Sequence, residues 1–494
     1  APINKHTIQS DSFHFPGHTE YIEERVGEGQ KALMILLKGD FRIALVTGHV
    51  PVAEIANHLT KELIMEKIAI FHRSLKKDFG IDCPRIRVTD IRLAMPLIAK
   101  EFYQNPAARF MLTGVTGTKG KTTVTYMLRN IFAEHFGEDF VGMISTNEAS
   151  NGKKQIEKTG TTPEALPLYE IFDDFAKSGV KAAVMEVSSQ ALQYNRVAYV
   201  PFLNGVYLNL SPDHQSPTEH HSFEEYKNAK LKMLTLCENG IVNIDDKYAK
   251  EVISAATCDK IYTFGTKENA DFRAEDIILT KRGASFKVSG KYIKDEVFEI
   301  RMAGEFNVYN ALAAVVCAYL CEIPVSAIKK GLYETEIDGR MEIIEKDGKT
   351  IIVDYAHNAL SFSAVFDYVE KFYPESKKIC LFGCQGNKAY DRRTELPEIA
   401  GEKADFVVLT TDDPAKEDPG KILDEVEDNL KKTNVKYVKI PDREEAVRFA
   451  VSKAGKGDVV FLAGKGHEHT QIVGNKTVFY KGDMDTAKDE LEEK

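Results

Sequence analysis

The chain has 494 residues, room for about three domains at roughly 150 residues each. Its composition is ordinary for a globular protein, 43% hydrophobic and 28% charged, and 65 basic against 75 acidic side chains leave a net charge of -10. That balance excludes general coating of nucleic acid and leaves only local basic pockets for phosphates. No apolar run reaches the ~20 residues of a bilayer span, and no secretory apolar core opens the chain. The seven cysteines, at 83, 237, 258, 317, 321, 380 and 384, form no CxxC pair and read as reduced thiols of a cytoplasmic protein. The chain opens APINK, without an initiator methionine, which points to processing or to a piece of something longer.

In chain order, 31–47 predicts two strands around a Lys38-Gly39-Asp40 turn. An amphipathic helix follows near 60–79, with Leu63, Ile64, Ile68, Phe71, Leu75 and Phe79 on one stripe. Residues 79–90 carry Gly, Pro and charge and read as a connection. From Arg109 short apolar strands alternate with helices, the pattern of a parallel α/β sheet. A third region starts near 337, where strands within 350–358, 378–386, 405–415 and 458–468 each end in a polar turn. Ligands of open α/β sheets sit beyond the carboxyl ends of strands, so four such ends together predict a binding face.

The strongest local signal lies at 110–128. An apolar strand runs into Gly114, Gly117 and Gly120, and Lys121-Thr122-Thr123 then opens a helix. Glycines let backbone N–H groups turn inward around a phosphate, and the helix N-terminus adds its dipole. Lys121 can neutralise terminal phosphates and the Thr122 hydroxyl can reach Mg²⁺. The strict phosphate-loop spacing would put Gly at 115, where Val115 stands, so this is a shorter variant. Downstream, a buried strand delivers Glu186 among apolar neighbours, and a carboxylate there needs a cation or donor. Another strand ends at Asp213-His214, either a metal-ligand position or a solvated turn.

These elements, in this order, resemble the Mur ligases, most closely the MurE type. The likeness runs from about Val88 to the end. It rests on TGTKGKTT (116–123), TTPEA (161–165), MEVSSQAL (185–192), NLSPDH (209–214), YKNAK (226–230), FNVYNALAA (306–314), DGRME (338–342), VDYAH (353–357), DDPA (412–415) and GKGHE (464–468). The fold implied is α/β: a central ATP-binding domain at 88–336 and a Rossmann-like C-terminal amino-acid-binding domain at 337–494. The activity implied is ATP-dependent amide ligation in peptidoglycan synthesis. A carboxylate of UDP-MurNAc-L-Ala-D-Glu is phosphorylated, and an amino acid then displaces the phosphate.

The resemblance assigns Gly117, Thr118, Lys119, Gly120, Lys121, Thr122 and Thr123 to the triphosphate. It assigns Asn307 and Asn310 to the adenine side, Arg340 to an ATP phosphate and Asp354 to the ribose. Thr122 and Glu186 would share one Mg²⁺, and His214 would join a second with Lys230, the family's carbamylated lysine. Lys121, Lys230 and His214 are the implied catalytic set. Thr161, Thr162, Ser188 and Arg196 match contacts to the nucleotide sugar. For the amino acid, the diaminopimelate-adding motif DNPR is here Asp412-Asp413-Pro414-Ala415. Ala415 cannot clamp a carboxylate and Asp413 favours a cation, which predicts L-lysine ahead of diaminopimelate. Gly464 and Glu468 match the diaminopimelate pattern instead. Gln190 and Asn358 depart from the residues usual at their positions.

Residues 1–87 resemble a different family, an internal stretch of 4-hydroxythreonine-4-phosphate dehydrogenase (PdxA type), on 1–27, 41–52 and 71–86. They predict a partial α/β fragment of a different fold. In that family His18-Thr19 contacts substrate and His49 is one of three metal ligands. The other two and the NAD-binding portion lie beyond the likeness, so neither dehydrogenase activity nor NAD or metal binding is expected of a vestigial His49. A fragment without its sheet neighbours should leave edges and apolar faces exposed. The whole is expected to be a cytoplasmic monomer working on ATP, UDP-MurNAc-dipeptide and an amino acid, without nucleic acid or membrane. Two rivals remain: a folylpolyglutamate- or cyanophycin-type ligase, and a nucleotide-binding fusion impaired by lack of a uridine domain.

Overall fold

The computed structural model describes residues 31, 33–38, 41–46, 58–79, 88–212 and 219–492. The chain divides into two compact units, Ala1–Thr89 and Asp90–Lys494. In the first, β1 (Ile35–Lys38) and β2 (Phe41–Ala44) pair antiparallel with Lys38 opposite Phe41. A helix spans Lys61–Phe79. The expected stripe is only half covered, because Ile64 and Ile68 stand exposed whereas Ile70, off the stripe, is buried. His18, Thr19, His49 and Cys83 lie outside the described residues.

The second unit begins with the helix Ile91–Phe102, capped by the Asp90 carboxylate, which accepts the Arg92 N–H at 2.8 Å. Ten strands then form one sheet: β3 (Met111–Thr116), β4 (Val141–Ile144), β5 (Ala149–Ser150), β6 (Ala182–Glu186), β7 (Phe202–Tyr207), β8 (Cys237–Asn243), β9 (Lys260–Gly265), β10 (Phe272–Leu279), β11 (Ala284–Gly290) and β12 (Glu296–Ile300). Their order is β12-β11-β10-β9-β8-β7-β3-β6-β4-β5. The strands from β10 to β4 in this order run parallel; at the margins β5 and β11 run against them, and β12 pairs antiparallel with β11. Parallel strands covered on both faces read as unbroken apolar runs, which is why β3 and β6 are buried almost throughout. One face packs Val124, Leu128 and Phe132 of the helix Lys121–Phe136 and Val308, Leu312 and Val316 of the helix Glu305–Leu320. The other packs Leu168, Phe172 and Phe175 of the helix Ala165–Ser178. Each such fully buried side chain contributes roughly 1.5–3 kcal/mol.

The remainder builds a second sheet from β13 (Glu342–Lys346), β14 (Lys349–Asp354), β15 (Lys378–Phe382), β16 (Phe406–Leu409), β17 (Lys436–Lys439) and β18 (Val459–Ala463), in the order β13-β14-β18-β15-β16-β17. Only β13 runs antiparallel. The four strands expected to form a binding face, β14, β15, β16 and β18, are therefore adjacent and share one carboxyl edge. A hairpin, β19 (Thr470–Val473) and β20 (Lys476–Phe479), stands beside that edge. The two sheets also meet away from it, where Arg282 donates to the Ile343 carbonyl at 2.8 Å and the Tyr368 hydroxyl donates to the Lys281 carbonyl at 2.6 Å. Among the described residues no helix is long and apolar enough to cross a membrane, and the six described cysteines are free thiols.

Candidate active site

The strand β3 ends at Thr116 between β6 and β7, so the next residues fall at the carboxyl edge of the sheet. Gly117-Thr118-Lys119-Gly120 makes the turn and Lys121 starts the helix. Gly120 has φ +87°, and a Cβ there would lie 2.3 Å from Asn310 Oδ1, so any larger residue is excluded twice. Asn209, just past β7, grips the loop as a fork: its Oδ1 accepts the Lys119 N–H at 2.9 Å and its Nδ2 donates to the Lys119 carbonyl at 3.1 Å. Lys121 Nζ donates to the Gly117 carbonyl at 2.9 Å and the Thr118 carbonyl at 3.2 Å, so its charge sits over the loop.

Glu186, at the end of β6, is buried at 1% exposure. Its Oε1 accepts the Thr122 hydroxyl at 2.9 Å and the Thr146 N–H at 2.7 Å, and its Oε2 accepts the Thr146 hydroxyl at 3.2 Å. Donors thus hold the carboxylate that the sequence left in need of a partner. Thr162 donates its hydroxyl to the Glu186 carbonyl and accepts the Ser188 N–H, while Arg196 donates to the Thr162 carbonyl at 3.1 Å and pairs with Glu164 at 2.6 Å. Thr161 meets Thr146 hydroxyl to hydroxyl at 3.1 Å.

Lys230, at 2% exposure, donates Nζ to the Gly117 carbonyl at 2.8 Å and lies 4.9 Å from the Tyr226 ring centre. An ammonium donates and cannot ligate a metal. His214 lies outside the described residues, within which no group of three or more His, Cys, Asp or Glu could hold a metal ion. The Thr122 hydroxyl and Glu186 carboxylate are hard oxygen donors and fit one Mg²⁺.

Across the cleft stand residues of the second sheet. Lys119 Nζ meets His357 Nε2 at 3.1 Å, and Arg340 lies 4.3 Å over the Tyr355 ring. Asp354 ends β14 and accepts the Met341 N–H at 2.8 Å; burial raises its pKa above the ordinary carboxylate value, with Arg340 opposing. Asn310 donates to Asn307 Oδ1 at 3.0 Å. One cleft of about 910 Å³ is lined by the loop from Thr118 to Thr123 and by Thr161, Thr162, Glu186, Ser188, Arg196, Lys230, Asn307, Asn310, Arg340 and Asp354.

Asp412, Asp413, Gly464 and Glu468 do not line it. They gather at the carboxyl ends of β16 and β18 around Lys465, which pairs with Asp413 at 2.9 Å, Glu468 at 2.5 Å and Asp412 at 4.0 Å. Burial works against the Lys465 charge, but Asp412, Glu468 and Asp413 outweigh it and raise its pKa. Burial pushes Asp412 up to about 6, with Lys465 pulling the other way. Both Asp412 carboxylate oxygens are enclosed without a hydrogen-bond partner. Gly464 has φ +108°, and a Cβ there would lie 2.9 Å from Asp412 Oδ2. Ala415, at φ +50°, donates its N–H to Ile472 of the hairpin at 2.9 Å.

Sequence reasoning missed Thr146, the forked Asn209, Tyr226 against Thr118 at 3.0 Å, and His357. The last three lie within motifs that were quoted, but only the fold turns them inward. Lys465 was missed as well, and it alters what the paired Asp412-Asp413 means.

Fold and cleft together define a class: an α/β protein whose phosphate loop opens into a cleft shared by two largely parallel sheets. The model of the Mur ligase middle domain matches residues 115–318, and that of the Mur ligase glutamate ligase domain matches 339–466. A curated relative in Caldanaerobacter subterraneus subsp. tengcongensis, UDP-N-acetylmuramoyl-L-alanyl-D-glutamate--2,6-diaminopimelate ligase, is 40% identical over 395 residues, covering 80% of each chain. One of the same name in Clostridium perfringens is 33% identical over 442 residues, covering 88% of each. A solved ligase of that name superposes with TM-score 0.58 at 26% identity, covering 83% of this chain and 84% of its own. The chain belongs to the Mur ligase family, whose members use ATP and Mg²⁺. The model of the pyridoxal phosphate biosynthetic protein PdxA matches residues 1–91. The match to the Clostridium perfringens relative is longer than the unit Asp90–Lys494 and so also reaches into this front segment.

Proposed function

We propose that the chain joins L-lysine to UDP-MurNAc-L-Ala-D-Glu through an acyl phosphate, at the expense of ATP, in peptidoglycan synthesis. The observation that carries this reading is the single cleft: the phosphate loop and the Thr161, Thr162, Ser188 and Arg196 wall open into the same space. An ATP on the loop and a carboxylate on that wall would face each other, the arrangement phosphoryl transfer needs. Residues 88–336 then serve as the ATP domain, 337–494 as the amino-acid domain and 1–87 as a segment without its parent family's chemistry.

Lys121 holds the transferring phosphoryl group while a carboxylate oxygen of the substrate attacks phosphorus and ADP leaves. The amine of the incoming amino acid then attacks the acyl carbon and phosphate departs. Asn307 and Asn310 hold the base, Asp354 the ribose and Arg340 a phosphate. Mg²⁺ bound by Thr122 and Glu186 would neutralise charge on the triphosphate. A second cation requires His214 and a carbamylated Lys230, a modification that turns the ammonium into a carboxylate-like ligand.

Three carboxylates around one lysine leave the amino-acid cluster negative, and Ala415 supplies no clamp for a distal carboxylate. Both features favour a plain cationic end, hence lysine. Diaminopimelate is the second reading, favoured by the names of the relatives. Incubation with ATP, UDP-MurNAc-L-Ala-D-Glu and equal L-lysine and meso-diaminopimelate, followed by product mass, decides. The lysine tripeptide supports the proposal, whereas the diaminopimelate tripeptide overturns the choice of amino acid and leaves the ligase reading standing.

A further inference from the structure

Two partly exposed thiols, Cys237 and Cys258, lie at the amino edge of the ten-stranded sheet, opposite to the edge that carries the phosphate loop. Cys237 opens β8, and Cys258 stands two residues before β9 begins at Lys260. β8 and β9 run parallel with Asn239 beside Lys260, so the same register carried back two residues puts Cys258 beside Cys237. The strand period of two turns both side chains to one face. Neighbouring strands lie about 4.8 Å apart, inside the roughly 4.4–6.8 Å between Cα atoms that a disulfide spans. The Cys258 N–H donates to the Leu234 carbonyl at 3.1 Å, which holds it against the turn Lys232–Thr235 just before Cys237.

The sheet makes room for both sulfurs. Gly205 of β7 and Gly240 of β8 are register partners. A Cβ on Gly205 would lie 2.6 Å from Cys237 Sγ, and one on Gly240 would lie 2.9 Å from Cys258 Sγ. Two adjacent glycines thus floor a shallow trough that the thiols fill, close enough for a hydrogen bond between them. Asn204, the residue before Gly205, faces the other side and donates to Cys321 Sγ at 3.1 Å. The sheet therefore separates Cys237 and Cys258 from Cys321 and its neighbour Cys317. Cys317, Cys380 and Cys384 are buried.

We propose that Cys237 and Cys258 are a redox modification site, which a peroxide converts to a disulfide tying β8 to β9. The Cys258 thiolate attacks one oxygen of hydrogen peroxide and the O–O bond breaks. Hydroxide leaves and takes up the Cys258 proton as water. The Cys237 sulfur then attacks the Cys258 sulfenic acid and the S–O bond breaks, so that hydroxide leaves with the Cys237 proton as a second water. Each sulfur gives up one electron and the peroxide is reduced by two. Burial pushes the Cys237 thiol up, which makes Cys237 the resolving partner. The bond closes the 237–258 loop at the edge away from the cleft, so it stabilises the sheet without reaching the phosphate loop.

The test treats the full chain with a small excess of hydrogen peroxide, caps the remaining thiols with N-ethylmaleimide and weighs the digest. Peptides joined through Cys237 and Cys258 are expected, and dithiothreitol should release them. The oxidised chain should melt about 5 °C above the reduced one and lose that gain on reduction. Affinity for a non-hydrolysable ATP analogue, read at the opposite edge, should be equal in the two forms. Cys258→Ser should show neither joined peptides nor the gain, whereas Cys321→Ser should keep both. Both cysteines capped after oxidation, Cys258 oxidised without a bond, or either joined to another thiol overturns the proposal. A Cys237–Cys258 bond that brings no rise in melting temperature, or that weakens the analogue, overturns its role as a tether away from the cleft.

Discussion

The phosphate loop and the Asp412–Glu468 cluster sit at equivalent places, the carboxyl edges of two largely parallel sheets, yet they work by opposite electrostatics. The loop is made of backbone N–H groups, glycines and lysines, and its shape follows from the covalent chain. The cluster is made of three carboxylates packed around one buried lysine, and its character follows from pairing across the sheet. The difference teaches which motifs carry their meaning alone. Gly120 makes the turn that its residue type implied, and Lys121 and Thr122 open the helix where the sequence placed them. Asp413, taken as a spare negative charge, turns out to share Lys465 with Glu468, at 2.9 and 2.5 Å, with Asp412 at 4.0 Å, so one cation stands against three carboxylates.

The sharpest way to break the comparison is Lys121→Ala. It should abolish phosphate release, a loss of roughly 1000-fold or more, while the melting temperature holds. Lys465→Met attacks the other site through stability. Three carboxylates left without their counter-charge should lower unfolding free energy by about 3 kcal/mol, read from denaturant midpoints. A fall below about 1 kcal/mol would mean that the cluster is not held together by Lys465.

Glu468→Gln should raise KM for the amino acid about 10-fold and leave KM for ATP alone. Equal effects on both would tie the cluster to the nucleotide cleft and erase the distinction. The Asp412 carboxyl gives a pH handle. Its pKa is raised to about 6 when folded, so the folded chain holds this proton more tightly than the unfolded one. Its ionisation therefore destabilises the fold, and this group's contribution improves as pH falls from about 6 toward 4. Asp412→Asn should remove that slope and stabilise the protein at pH 7.5 by about 1–2 kcal/mol. The parent should also lose affinity for a cationic amino acid below about pH 6, and the variant should not. The smallest expected effect is none: His49→Ala, in the segment matched by the PdxA model, should leave turnover unchanged.

Much of the fold was legible because the parallel strands are short, apolar and punctuated by glycine and polar turns. All four strands of the third region sit adjacent in one sheet as expected. The helix at 61–79 shows the limit. Periodicity marked one stripe, but which side is covered depends on partners elsewhere, and Ile64 and Ile68 stand in solvent. In the cleft, the loop and Glu186 were legible because glycines and a buried carboxylate are costly without a reason. Thr146, Asn209 and His357 were not, since a hydroxyl, an amide or an imidazole acquires its role only when folding brings a donor or acceptor to it.

The most direct test of the central claim is phosphate release by the full chain from ATP, UDP-MurNAc-L-Ala-D-Glu and L-lysine with Mg²⁺. Release should require all three substrates and vanish in Lys121→Ala. No release with L-lysine, diaminopimelate or any other amino acid would contradict the account and leave a fusion that holds nucleotides without joining anything.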